Sequence, residues 1–168
     1  MRRGQKSPIL LLKSMITKEQ VEQIIHEKID GTEIFLVAVI ILPGNNIDVH
    51  LDTPKGILID ECVEVSRYIV SKLDKEVEDY NLEVSSPGLD ASFLVRQQYE
   101  KNLGKEVEII KVDGIKIKGK LISYSGDRIE VEAMLREASP SRSKKLVAQQ
   151  ITVIIEDIKT IKSVISFK

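Results

Sequence analysis

The chain has 168 residues, of which 42% are hydrophobic and 30% are charged, and its formal net charge is −1. This composition excludes a disordered chain, because it supplies enough apolar material for a core, and the length suffices for one large domain or two small ones. The absence of tryptophan and an aromatic content of only 4% argue against a surface that binds nucleic acid by stacking bases.

The charge is divided unevenly along the chain. Residues 17–90 contain six Lys or Arg and sixteen Asp or Glu, a balance of −10, whereas residues 91–168 contain fifteen and ten, a balance of +5. Such a division suggests an acidic module suited to a basic protein and a basic module suited to an anion. Two solvated surfaces without partners would show the same division, so charge alone leaves both interpretations open.

The first 16 residues are predicted to be a disordered basic tail. Their apolar run, residues 9–12, is shorter than the roughly 7 to 15 apolar residues of a secretory signal. No stretch of the chain approaches the roughly 20 apolar residues of a membrane span. The single cysteine, Cys62, excludes an intramolecular disulfide and fits a reducing, cytoplasmic setting.

Residues 17–90 are predicted to form an acidic N-terminal α/β domain. Thr17-Lys-Glu-Gln20 has the form of a helix capping box, and apolar residues at helical spacing follow it. The apolar run 33–42 and the alternating residues 47–51 flank Pro43-Gly-Asn-Asn46, which predicts a β-hairpin.

A second helix is predicted after Gly56, where the apolar period changes to three or four residues. Its single apolar stripe consists of Leu58, Cys62, Val65, Ile69 and Leu73. A third strand over residues 80–85 completes the order α-β-β-α-β. We therefore expect a two-layer domain in which both helices cover one face of a small mixed sheet.

Residues 91–102 are predicted to be a linker with a short helix over 93–102, and residues 103–168 a basic C-terminal domain. Strands are predicted over residues 105–112, 115–124, 128–133, 151–155 and 160–167. Strands of this length and spacing match a small SH3-like or Sm-like barrel, because closure removes exposed sheet edges. The predicted class is therefore α+β, and residues 135–145 are predicted to be a mobile loop.

The sequence contains no motif for catalysis, cofactor binding or metal binding. A serine nucleophile needs a base, and the two histidines, His26 and His50, are predicted on the polar faces of a helix and a strand. The chain is therefore predicted not to be an enzyme and to use no cofactor or metal.

The segment NLEVSSPGLD is predicted to be an interdomain hinge. Pro87 and Gly88 suit the central positions of a type II turn, and Asp90 can cap a following helix. Ser85 and Ser86 can bond turn amides or contact a phosphate, and the structural role is favoured.

The segment GIKIKGKL alternates apolar residues with Lys116, Lys118 and Lys120, so a strand here carries three ammonium groups on one face. Arg128 opens the next predicted strand, and the predicted loop adds further cations. The candidate phosphate contacts are Lys116, Lys118, Lys120, Arg128, Arg142, Lys144 and Lys145. Lysines that serve only solubility remain an equal alternative, and Glu106, Glu108, Glu130 and Glu132 can neutralise part of this surface.

Residues 60–74, DECVEVSRYIVSKLD, followed by residues 82–90, LEVSSPGLD, resemble the bacterial RimP family of ribosome maturation factors. The resemblance extends to GKEVEI and EDIKTIKSVISF in the basic half. It implies a monomeric, non-catalytic factor that binds the free small ribosomal subunit during late assembly. It also implies two partners, ribosomal RNA and the small-subunit protein number twelve at the decoding centre.

The chain departs from the family pattern at Ala91-Ser92, where Arg-Pro is usual, and the loss of proline is expected to loosen the hinge. A second interpretation is a general Sm-like RNA-binding module, which the start of the basic domain also resembles. That interpretation leaves the acidic domain unexplained and predicts a ring-shaped oligomer.

Overall fold

The structure is a computed structural model that describes residues 16–73, 79–88, 90–136 and 146–164. The chain divides into two compact units, Met1–Pro87 and Gly88–Lys168. The predicted tail over residues 1–15 and the loop residues 137–145 lie outside the described residues. Ile16, which falls in the predicted tail, is only 5% exposed and packs in the core of the N-terminal unit.

In its described residues the N-terminal unit has the predicted order of two helices and three strands. These elements are α1 (Lys18–Ile29), β1 (Phe35–Leu42), β2 (Asn46–Asp52), α2 (Ile59–Leu73) and β3 (Asn81–Ser85). The Thr17 hydroxyl accepts a hydrogen bond from the Gln20 amide at 3.2 Å, so the predicted cap does begin α1. The predicted hairpin joins β1 and β2 with antiparallel pairing.

The three strands form one mixed sheet in the order β1-β2-β3, because β3 returns parallel to β2 after the α2 crossover. The buried face of this sheet packs against both helices in a single core. On α2 this core takes Val65, Ile69 and Leu73, as the stripe predicted. The prediction is wrong for Leu58, which precedes the helix, is 65% exposed and donates its N–H to Glu61 Oε2.

The described residues of the C-terminal unit form one short helix and five strands. They are α3 (Arg96–Lys101), β4 (Glu106–Lys111), β5 (Lys116–Tyr124), β6 (Arg128–Arg136), β7 (Leu146–Ile154) and β8 (Ile158–Ser163), with a 3-10 turn before β8. All neighbours pair antiparallel in the order β7-β6-β5-β4-β8. Within the described residues the outer strands β7 and β8 are not paired with each other, so the observed element is an open antiparallel sheet.

Several boundaries in this unit differ from the prediction. The backbone of β6 continues through Arg136, and β7 begins at Leu146, because the two strands pair over nine residues from Arg128–Ile154 to Arg136–Leu146. The short helix begins at Arg96, since the preceding residues are extended and the Phe93 amide donates to the Ile161 carbonyl.

One face of the C-terminal sheet is buried. Its core residues come from all five strands and from the segment around α3: Phe93, Tyr99, Val107, Ile109, Leu121, Ile129, Val131, Val153 and Ile161. The Phe93 and Tyr99 rings meet edge to face at 5.4 Å, and Tyr99 stacks on Tyr124 at 4.6 Å. Burial, followed by the neighbouring Tyr124, raises the pKa of Tyr99. Phe93 and Tyr99 are therefore core residues and do not form a base-stacking surface.

The chain before α3 is attached to the edge of the sheet. The Ser92 hydroxyl accepts a hydrogen bond from the Ile161 amide of β8 at 3.1 Å, and the next residue bonds the Ile161 carbonyl. A proline at position 92 could not accept this bond. The departure from the family pattern at Ser92 thus adds an anchor that the sequence did not predict.

Replacing Ser92 with alanine should lower the free energy of unfolding of the C-terminal unit by about 1 kcal/mol, because the part-buried Ile161 amide loses its acceptor. Urea unfolding measures the change. Ser71→Ala is the matched control, since that hydroxyl donates to the Tyr68 carbonyl of its own helix, and we expect no loss there. Equal midpoints for Ser92→Ala and the parent protein would contradict the anchoring role.

Candidate nucleic-acid interface

The three lysines of GIKIKGKL lie on one face of β5. Lys116, Lys118 and Lys120 are exposed, and they alternate with Ile117, Gly119 and Leu121 on the inner face. The alternation follows from the two-residue period of a strand whose other face is buried. The structure therefore brings together three of the seven candidate phosphate contacts.

Glutamates surround these lysines on the same face. Lys120 pairs in register with Glu106 of β4 on one side and with Glu132 of β6 on the other. Lys118 pairs with Glu108, and the Lys116 ammonium lies 3.8 Å from the Glu108 carboxylate. The face is thus an alternating array of opposite charges and not a uniformly positive surface.

This array allows phosphate binding but limits it. Exposed ion pairs contribute about 0 to 1 kcal/mol each, so an ammonium can exchange a carboxylate for a phosphate at little cost. The glutamates that remain repel the other phosphates of a bound nucleic-acid backbone. We therefore expect few phosphate contacts, with an affinity that falls as salt concentration rises.

A shallow depression marks the centre of the array. It has a volume of about 520 Å³, and its walls are formed by Gly104, Glu106, Lys118, Gly119, Lys120, Glu132 and Met134. Gly119 lies at its base because β5 and β6 approach closely there. A Cβ atom at Gly119 would lie 2.5 Å from the Glu132 carbonyl oxygen and 2.8 Å from Val131 Cγ1.

Arg128 does not belong to this array. It begins β6, four residues from the Glu132 that pairs with Lys120, and this separation corresponds to about 14 Å along a strand. Its guanidinium lies 3.3 Å from the Asp127 carboxylate. Hydrogen bonding and charge attraction from Arg128 lower the pKa of Asp127. Arg142, Lys144 and Lys145 lie outside the described residues.

A fourth lysine on this face was not among the candidates. Lys162 of β8 pairs with Glu108, which pairs with Lys118 on its other side. It is half-buried, and it alternates with the buried Ile161. The alternation of Lys162 with Ile161 was visible in the sequence. Only the pairing of β8 with β4 shows that Lys162 lies on the same face as Lys116, Lys118 and Lys120, which we call the lysine face.

The predicted hinge adopts a different turn. Gly88 is not in the positive-φ region that the third residue of a type II turn requires, so that prediction is wrong. Instead the Gly88 carbonyl accepts the Ala91 amide at 2.9 Å, and the turn begins at Gly88. Asp90 lies inside this turn and does not cap a helix, because the residue preceding α3 is Val95.

Ser85 and Ser86 lie at the end of the N-terminal sheet. Ser85 is the last residue of β3 and pairs with His50 of β2, and both serines line a groove beside α2. Pro87 ends the N-terminal unit. His26 is on the exposed side of α1, as predicted.

The part of the chain that the structure describes shows neither a metal-binding cluster nor a membrane-spanning helix. No group of three or more His, Cys, Asp or Glu side chains there is arranged to hold a metal ion. None of the helices defined above has the length and apolar character needed to cross a lipid bilayer.

Similarity to known proteins extends over both units. The family model described as the RimP N-terminal domain matches residues 20–90. A protein of Porphyromonas gingivalis named ribosome maturation factor RimP is 40% identical over 147 residues, which are 86% of this chain and 96% of the relative. Proteins of the same name from Christiangramia forsetii and Flavobacterium psychrophilum are each 32% identical, over 89% and 73% of this chain and 99% and 80% of the relatives. The chain therefore belongs to the RimP family.

Proposed function

We propose that this protein is a ribosome maturation factor that binds the free small ribosomal subunit and assists its late assembly without catalysing a reaction. The observation that carries this proposal is the similarity to proteins named ribosome maturation factor RimP, which spans 86% of this chain and 96% of the first relative. A match of this extent includes both the acidic and the basic unit, so the proposal concerns the whole chain.

The basic unit is the proposed RNA-binding part. Lys116, Lys118 and Lys120 form its central phosphate contacts, with Lys162 beside them on the same face. Arg128 and the loop cations Arg142, Lys144 and Lys145 are proposed as peripheral contacts. The separation of Arg128 from the array suits an RNA backbone that runs across the surface.

The acidic unit is the proposed protein-binding part, and its partner is the small-subunit protein number twelve at the decoding centre. A factor that binds RNA and a ribosomal protein together raises the effective concentration of each near the other, which favours their assembly. Ser85, Ser86, Pro87, Gly88 and Asp90 are proposed to serve as the joint between the two binding units.

We also propose that the C-terminal sheet curls into an SH3-like barrel and that the protein acts as a cytoplasmic monomer. Irregular pairing between Ile110 and Lys111 and between Leu121 and Ser123 supports the curvature, because bulges increase twist. Light scattering tests the oligomeric state, and a hexameric or heptameric ring would favour the Sm-like alternative.

A pull-down of free small subunits by the full-length protein tests the function. We expect immature subunits to be retained, and subunits lacking protein twelve to bind about a hundredfold more weakly, because one of two linked contacts is lost. Mature small subunits joined to the large subunit are the control. Absence of binding to immature subunits, or rapid turnover of a small substrate, would contradict the proposal.

A further inference from the structure

Helix α2 carries a second apolar stripe in addition to its core stripe. Ile59, Cys62, Val63 and Ser66 follow the spacing i, i+3, i+4, i+7, which places them on one side of a helix. Ile59 is 81% exposed and Val63 is 38% exposed. Large aliphatic side chains at these exposures, next to one another, are typical of a surface that binds a partner.

This second stripe forms one wall of a groove in the N-terminal unit. The opposite wall is formed by Ile57 and by the end of the sheet at Val84, Ser85 and Ser86. The groove has a volume of about 300 Å³. This volume holds one or two apolar side chains, with the two serine hydroxyls available for hydrogen bonds at its end.

The groove runs beside an open sheet edge. In the order β1-β2-β3, β3 has a strand neighbour on one side only among the described residues. The Asn81 amide donates to the Asn45 carbonyl at 3.0 Å, so Asn81 faces β2. Because parallel strands alternate, Leu82 and Val84 direct their amides and carbonyls away from β2. An added strand could bond these groups.

The two segments that form the groove carry only negative charge. The segments that form it, residues 57–66 and 81–86, contain four carboxylates and no Lys or Arg. These carboxylates belong to Asp60, Glu61, Glu64 and Glu83. Phosphates would be repelled here, whereas a chain that carries Lys or Arg would be attracted.

We propose that an extended, Lys- or Arg-bearing segment of a partner protein adds as a strand to the β3 edge and inserts an apolar side chain between Ile59, Val63 and Val84. An open edge supplies the backbone bonds, the groove supplies an apolar site, and the carboxylates select a basic partner. This inference rests on the proposed function, because it identifies where the acidic unit would hold its basic protein partner.

The test combines a paired variant with amide exchange. The probe is purified small-subunit protein twelve, titrated into the full-length protein. Ile59→Gln with Val63→Gln should weaken binding at least about tenfold, because two apolar contacts are lost. In the parent complex the amide protons of Leu82 and Val84 should exchange more slowly than in the free protein, as strand addition requires.

The matched control is Ile40→Gln with Leu42→Gln, which alters two aliphatic side chains of β1 that are 42% and 48% exposed. Its affinity should stay within about twofold of the parent value. Unchanged urea midpoints for both variants show that each protein remains folded. The groove variant then reports binding and not unfolding.

Several results would overturn the inference. The first is that the groove variant binds protein twelve as tightly as the parent does, and the second is that amide exchange at Leu82 and Val84 does not change in the complex. The third is that ribosomal RNA, and not protein twelve, slows this exchange. The fourth is that two copies of the chain form a dimer through β3. Retention of the parent by immature subunits separates the two proposals. If retention persists while the groove variant binds normally, only the groove proposal fails; if the parent is not retained at all, the proposed function fails.

Discussion

Replacing Gly119 with alanine should destabilise the C-terminal unit by about 2 to 3 kcal/mol, the upper range for overpacking a well-packed core. A Cβ atom there would lie 2.5 Å from the Glu132 carbonyl oxygen and 3.0 Å from the Ala133 Cα atom. Both are backbone atoms of β6, so no side-chain rotation relieves the contact. The neighbouring strands β5 and β6 must separate, which weakens their pairing.

Urea unfolding followed by tyrosine fluorescence measures this loss, because Tyr99 and Tyr124 lie in the affected unit. Gly126→Ala is the control: Gly126 has φ 95° but nothing within 4 Å of an added Cβ atom. Its expected cost is about 1 to 2 kcal/mol from backbone strain alone. A Gly119→Ala protein as stable as the parent would show that β5 and β6 do not require their close approach.

Changing Lys116, Lys118 and Lys120 together to glutamine should weaken binding to naked small-subunit RNA by about 10- to 100-fold near 0.1 M salt. The slope of log affinity against log salt should fall by about 2, because each lost phosphate contact removes about 0.7 to 0.9. Glutamine is chosen because new carboxylates beside Glu106, Glu108 and Glu132 would repel one another and disturb the sheet.

The control for this variant removes the same number of charges elsewhere. Lys18, Lys55 and Lys72 are exposed residues of the N-terminal unit, and their change to glutamine alters the net charge equally. We expect a much smaller change in salt slope, since they do not lie on the lysine face. Equal effects of the two triple variants would show that net charge, and not the face of β5, determines RNA affinity.

Local patterns were sufficient to predict most elements. The three-to-four-residue period of Val65, Ile69 and Leu73 was correct because a helix face packs on one core. The alternation in GIKIKGKL was correct because one face of the sheet is buried. The type II turn failed because Pro87-Gly88 is compatible with several turns, and the bond between Gly88 and Ala91 selects another.

Pairing between distant strands was not predictable from one sequence. The start of β7 at Leu146 depends on nine residues of pairing with β6, and the local sequence LVAQQ has little strand alternation. The strand register determines which residues lie beside Lys118 and Lys120. The sequence alone therefore could not show which glutamates surround them. The predicted single stripe of α2 left out Ile59 and Val63, and their side of the helix forms a groove only because β3 lies beside it.

The position of Cys62 in the groove wall has a consequence for the chemistry of the chain. Burial, and secondarily the Glu61 carboxylate, raise the pKa of this thiol above its ordinary value. The thiolate is the form that attacks electrophiles, so near neutral pH the sulfur is a poor nucleophile. The only sulfhydryl in the sequence is thus held mainly as the thiol, and a chain seated in the groove would cover it further.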